Sequence, residues 1–131
     1  MMIEKPKKYS LLPSVEKTQF ILDWMREKKA QELVAIDLKS VTQKQSLAFE
    51  TIVILSANSI RHAQGLADYL LECAGKEGFE YFRMEGYQSG TWILLDLNDI
   101  IVNIFQPEER ELYRLEDLWG NAEFICDERA G

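Results

Sequence analysis

TWILLDLNDIIVNIF, Thr91 to Phe105, is the stretch whose reading decides the fold. Two apolar runs, Trp92 to Leu97 and Ile100 to Phe105, flank the dipeptide Asn98-Asp99. Asn and Asp tolerate positive φ, so the dipeptide reads as a tight two-residue turn and the whole as a β-hairpin. Immediately downstream, Pro107 suits the first turn of a helix, with Glu108 and Glu109 at the positive end of its dipole. Leu112, Leu115 and Trp119 are expected to share the inward face of that helix. Tyr113 and Glu116, three apart, then project together to one side.

Upstream of the hairpin, Phe79 to Met84 reads as a further strand, closed by Gly86 and Gly90 around a polar turn. Before it lies a helix over about 60–75, in which Ile60, Ala63, Leu66, Ala67, Leu70, Leu71 and Ala74 keep the 3.6-residue period. Ser59 is placed to cap its start, and Gly75 and Gly78 to stop it. Glu32 to Leu38 and Phe49 to Leu55 are nearly continuous apolar runs, as in strands covered on both faces. The polar connection over 39–46 carries no recognisable chemistry. Ser14 is the expected cap of a first helix over about 15–29, with Phe20, Ile21, Trp24 and Met25 as its apolar stripe and Lys28 and Lys29 in its last turn. The order is α-β-β-α-β-β-β-α. It predicts an α/β fold, a single domain over 14–122 with a five-stranded mixed sheet flanked by helices, preceded by a flexible basic arm (1–13) and followed by a C-terminal tail (123–131).

At 131 residues, with 47% apolar and 28% charged side chains, one ordinary core suffices without disulfides or metals. No apolar run is long enough to span a bilayer, and Met1 to Pro13 lacks the apolar core of a secretion signal, so a cytoplasmic protein away from membranes is expected. Cys73 and Cys126 are isolated thiols that suit a reducing compartment. The net charge of −7 is unevenly spread. Residues 1–48 hold nine Lys/Arg and six Asp/Glu, whereas residues 49–131 hold six and sixteen. An acidic body repels phosphate backbones and suits a basic protein partner.

Candidate chemistry is sparse. His62 is the single histidine, so no multi-histidine metal site can form, and its place on the first turn of a helix favours the neutral ring. Asp96 and Asp99 flank the Asn98 turn, and paired carboxylates can hold Mg²⁺ for phosphoryl or nucleotidyl transfer. Their spacing of three across a turn differs from the i, i+2 spacing that puts two strand carboxylates on one face. No glycine-rich phosphate loop is present. Ser56 and Ser59 precede a helix start, where capping and anion binding are both possible roles. Trp92, Tyr113 and Trp119, with carboxylates close by in sequence, are candidate anchors for a protein partner.

The stretch Thr91 to Ala122, TWILLDLNDIIVNIFQPEERELYRLEDLWGNA, resembles the ribosomal silencing factor family, also called the Iojap family. That family reads W-[IV]-[LV]-[LIV]-D-x-G-D-V-[IV]-V-H-[IV]-[FM], then R-x-[FLY]-Y-x-L-E-x-L-W. Trp92, Asp96, Asp99, Arg110, Tyr113, Leu115, Glu116, Leu118 and Trp119 match it. Ile54 to Leu70 is similar to its S-x-S-x-R-H-x-x-x-[IL]-A-D segment through Ser59, Arg61, His62, Ala67 and Asp68. Glu85-Gly86, Lys28-Lys29-Ala30 and Val34-Ala35-Ile36-Asp37 fall on further family positions. The resemblance spans roughly 15–122. Glu50 stands in place of an Asp, Asn98 in place of the turn glycine and Asn103 in place of a histidine.

This resemblance implies a nucleotidyltransferase-like fold without catalytic carboxylates, no cofactor and no enzymatic activity. It implies binding to the large ribosomal subunit through its ribosomal protein fourteen, which blocks joining of the small subunit and lowers translation when nutrients are scarce. The implied contact residues are Trp92, Asp96, Asp99, Tyr113, Glu116 and Trp119, with Arg61 and His62 as further members. A minor contact with ribosomal RNA is expected for the basic arm, and the protein is expected as a monomer or weak homodimer. The competing reading is a residual Mg²⁺-dependent nucleotidyltransferase-like enzyme using Asp96 and Asp99.

Overall fold

The Asn98-Asp99 turn closes as its residues dictate. In the computed structural model, which describes residues 10–39 and 49–129, the Leu97 N–H donates to the Ile100 carbonyl at 2.9 Å. Asn98 takes φ +76°, and its N–H is held by the Asp96 carboxylate at 2.9 Å. A β-carbon without Asn's local hydrogen bonding is disfavoured there. Asn98→Ala is therefore expected to lower stability by about 1 kcal/mol, and Asn98→Gly to stay near wild type, as read from urea unfolding midpoints.

The turn joins β4 (Trp92–Asp96) to β5 (Ile100–Phe105). Before them come α1 (Ser14–Glu27), β1 (Gln31–Asp37), β2 (Thr51–Ser56), α2 (Ile60–Lys76) and β3 (Arg83–Glu85). After them come α3 (Pro107–Tyr113), a 3-10 turn (Leu115–Trp119) and β6 (Glu123–Asp127). The sheet order is β3-β4-β5-β2-β1-β6. Among the described residues only β2 and β5 pair in parallel, so the sheet is mixed.

Both helices of the first layer, α1 and α2, cover one face of the sheet. Ile21, Leu22 and Met25 of α1 and Ala63, Leu66, Ala67 and Leu70 of α2 pack on Leu33, Ala35, Val53, Leu55, Ile93, Leu95, Val102 and Ile104. The opposite face is covered only over its middle. There Val34, Ile36, Ile52, Ile54 and Phe105 meet Leu115 and Trp119 of the 3-10 turn and Phe124 of β6. As the apolar runs require, β2 is buried at every position and β1 over Leu33–Ile36. In β4, Ile93 and Leu95 are buried while Trp92, Leu94 and Asp96 are only partly so.

Several expectations are corrected. Among the described residues the sheet has six strands, because residues 123–127 of the supposed tail pair antiparallel with β1 as β6. The strand expected over 79–84 shrinks to Arg83–Glu85, since Phe79 turns into the helical layer against Trp24. Ser14 is the first residue of α1, after Pro13 at the cap position, and its hydroxyl donates instead to the Glu50 carboxylate at 2.9 Å. On the expected stripe of α1, Phe20 is exposed and Leu22 is buried in its place. Lys28 and Lys29 lie beyond the helix, with Lys29 at φ +65°. Ser59 does cap α2, accepting from the His62 N–H at 3.0 Å. The basic arm, up to residue 9, and the connection over 40–48 lie outside the described residues.

Ionic contacts flank β6. Arg26 of α1 donates from Nε to Glu128 at 2.9 Å, and Arg129 binds Asp127 at 2.9 Å. Arg129 holds the Asp127 carboxyl at about 2, below the ordinary 3.8, and Arg26 likewise lowers that of Glu128. Folded pKa values below the unfolded ones give stabilisation that is complete above the ordinary carboxylate range and lost as pH falls through the folded values. Acidification from about pH 5 to about pH 2 is expected to lower the amide protection factors (exchange relative to the intrinsic rate at each pH) of Phe124–Asp127 before those of β2, as followed by NMR.

Candidate functional site

Along β4, residues of one parity point away from α1 and α2, which places Trp92, Leu94 and Asp96 on the incompletely covered face. Trp92 is the centre of an aromatic group there. Its ring lies 4.9 Å from Phe105, its partner across the β4–β5 ladder, and 4.8 Å from Tyr113 at the end of α3. Tyr113 is 50% exposed, and Leu112 beside it and Leu118 on the following turn are also solvent-facing. On the neighbouring strand β3, Arg83 pairs with Glu85 and Asp96. Glu108 and Glu111 of α3 are exposed. The result is an aromatic and aliphatic surface on a sheet face that also carries the Arg83–Asp96 ion pair, a composition that suits a protein-binding anchor.

The chain reaches this arrangement through a break. α3 ends at Tyr113 because Arg114 adopts a left-handed conformation, φ 44° and ψ 56°, and the 3-10 turn starts afresh after it. The expected single helix with Leu112, Leu115 and Trp119 on one inward face does not form. Leu112 is 72% exposed, while Leu115 and Trp119 pack on the second core cluster. Tyr113 and Glu116 consequently part company. Glu116, 6% exposed, accepts from Arg110 Nε at 2.8 Å, and Arg110 Nη1 donates to the Ser56 hydroxyl at 2.9 Å. Its geometry is that of an internal tie between the 3-10 turn, α3 and the end of β2.

The other candidate residues are dispersed. Asp99 binds Lys17 of α1 at 2.8 Å, on the helical side of the sheet, whereas Asp96 faces Arg83 on the opposite side. The two carboxylates thus do not form a pair, and among the described residues no group of three His, Cys, Asp or Glu side chains is placed to hold a metal ion. Trp119 is half-buried in the second core. Arg61 and His62 stand at the start of α2, at the same end of the sheet as Trp92 but on its other face. Arg61 is exposed. His62 Nδ1 accepts from the Asn58 N–H at 2.9 Å, which leaves Nε2 as the donor to the Lys28 carbonyl at 2.8 Å. The histidine clips the end of α1 to the start of α2 as a neutral ring. A polar cleft of about 330 Å³ lies beside Arg110, Arg114 and Arg129, but each of these arginines already has a carboxylate, Glu116, Glu111 and Asp127 respectively.

Two members of the open face, Leu94 and Phe105, were not among the candidates read from sequence. The parity of WILLD was the available signal, since it groups Leu94 with Trp92 and Asp96.

Comparison with known proteins agrees with the fold and with the motif. The chain matches the family described as "Ribosomal silencing factor during starvation" over residues 12–130, so the similarity runs on through β6. It is 36% identical over 107 residues to the ribosomal silencing factor RsfS of Halalkalibacterium halodurans, covering 82% of this chain and 88% of that protein. It is 33% identical over 96 residues to the protein of that name from Bacillus subtilis, covering 73% and 78%. A solved structure from Bacillus halodurans superposes with a TM-score of 0.71 at 32% identity, covering 85% of this chain and 97% of the other.

Proposed function

Because this chain belongs to the ribosomal silencing factor family, we propose that it binds the large ribosomal subunit through ribosomal protein fourteen and blocks joining of the small subunit. The observation that carries the reading is the Trp92–Tyr113 aromatic pair on the open sheet face, in a chain of net charge −7. Buried aromatic anchors supply most of the energy of a protein interface, and a net negative charge speeds encounter with a basic partner such as a ribosomal protein. Repression then needs only occupancy: a folded body seated where the small subunit docks excludes it, with no bond made or broken. Such a protein works in the cytoplasm, as a monomer or weak homodimer, on ribosomes idle during starvation.

Co-sedimentation with purified large subunits tests the binding step. The protein is expected to pellet with them in a saturable way, to be competed off by isolated ribosomal protein fourteen, and to bind more weakly as salt is raised. Protein left in the supernatant at a large excess of subunits contradicts the reading.

A further inference from the structure

Asn103 interrupts the apolar run of β5 at a position that is 1% exposed. An unpartnered buried amide costs a few kcal/mol, so its hydrogen bonds indicate what the residue is for. Its Oδ1 accepts from Trp92 Nε1 at 3.0 Å, and its Nδ2 donates to the Val53 carbonyl of β2 at 3.3 Å. The indole nitrogen is a donor only, so the amide's orientation is fixed without ambiguity. In the ladder Asn103 stands opposite Leu94, two residues from Trp92, which makes the contact a diagonal cross-strand pair on the open face. Trp92 is thereby held at its one polar atom by Asn103, while Phe105 and Tyr113 contact its ring.

Resting on the reading of this face as the ribosome-binding surface, we propose that Asn103 is a positioning residue for it, fixing the Trp92 indole in its binding orientation before the partner arrives. An apolar β-branched residue at 103 suits a buried strand better; the amide is anchored to β2 through the Val53 carbonyl and presents its oxygen to the indole. Fixing an anchor side chain beforehand raises affinity by removing the entropy loss of ordering it on contact.

A double-mutant cycle on large-subunit binding tests this. Asn103→Leu is expected to weaken binding about tenfold with its far-ultraviolet spectrum unchanged, and Asn103→His, which restores an acceptor, to return to within about threefold of wild type. In a Trp92→Phe background, where no indole N–H exists, Asn103→Leu is expected to change affinity by less than about twofold. The Trp92 indole N–H resonance should shift and exchange faster with water in Asn103→Leu. Should that variant not fold, Asn103→Ala takes its place in the cycle. Unaltered affinity in the single variant, or an equal loss with and without the indole, overturns the proposal. An unmoved indole resonance does so as well. Wild-type protein that does not bind large subunits brings down the function reading, and this proposal with it, whereas binding wild type with a silent Asn103→Leu brings down this proposal alone.

Discussion

Glu116→Ala, which breaks an enclosed ion pair, is expected to destabilise the fold by about 3–5 kcal/mol. Glu116 and Arg110 are both almost wholly enclosed, and their 2.8 Å contact is the guanidinium's only carboxylate bond among the described residues. Removing the acid leaves a nearly buried cation whose remaining hydrogen-bond partner among the described residues is Ser56, with only the more distant Asp127 carboxylate to offset its desolvation. Urea unfolding should show the loss as a lower midpoint at an unchanged slope. Replacing both partners, Arg110→Met with Glu116→Leu, is expected to recover most of it, because apolar groups of similar volume need no ionic partner. A Glu116→Ala protein as stable as wild type shows that the tie carries no weight. The same substitution should lower ribosome binding only as far as it lowers the folded population.

Trp92→Ala carries the largest expected effect on binding, a loss of about 2 kcal/mol or more, or roughly thirtyfold in affinity. The ring touches Phe105 and Tyr113, so this variant also loses some packing. Tyr113→Ala separates the two effects. Its ring is half exposed at the end of a short helix, so the fold should lose less than about 1 kcal/mol while binding still falls about tenfold. Affinity for large subunits, measured beside unfolding midpoints, checks both variants. Wild-type affinity in Tyr113→Ala removes this face from the interface.

The hairpin, both central strands and the two long helices were legible because their signals are local: period 2 or 3.6, Asn98 at a positive φ and Ser59 at a helix start. What escaped depends on tertiary context. EFICD has charged ends and five residues, and becomes a strand only because β1 offers it a free edge. Arg114 in the left-handed region has no signature in YRLED, since most such positions are glycine or asparagine. That one torsion ends α3, and every inference built on a continuous helix, including the side shared by Tyr113 and Glu116, goes with it. Of the candidate surface, Trp92, Asp96, Tyr113 and Trp119 lie on one face of the sheet, Trp119 packed on its core cluster, whereas Asp99 is paired with Lys17 on the helical side and Glu116 is enclosed with Arg110.

The most direct test of steric exclusion follows light scattering as purified small and large subunits are mixed, with and without this protein. The account predicts that joining slows in proportion to the fraction of large subunits occupied, and that Tyr113→Ala at equal concentration slows it far less. Joining at full speed in a saturating excess of folded wild-type protein contradicts it.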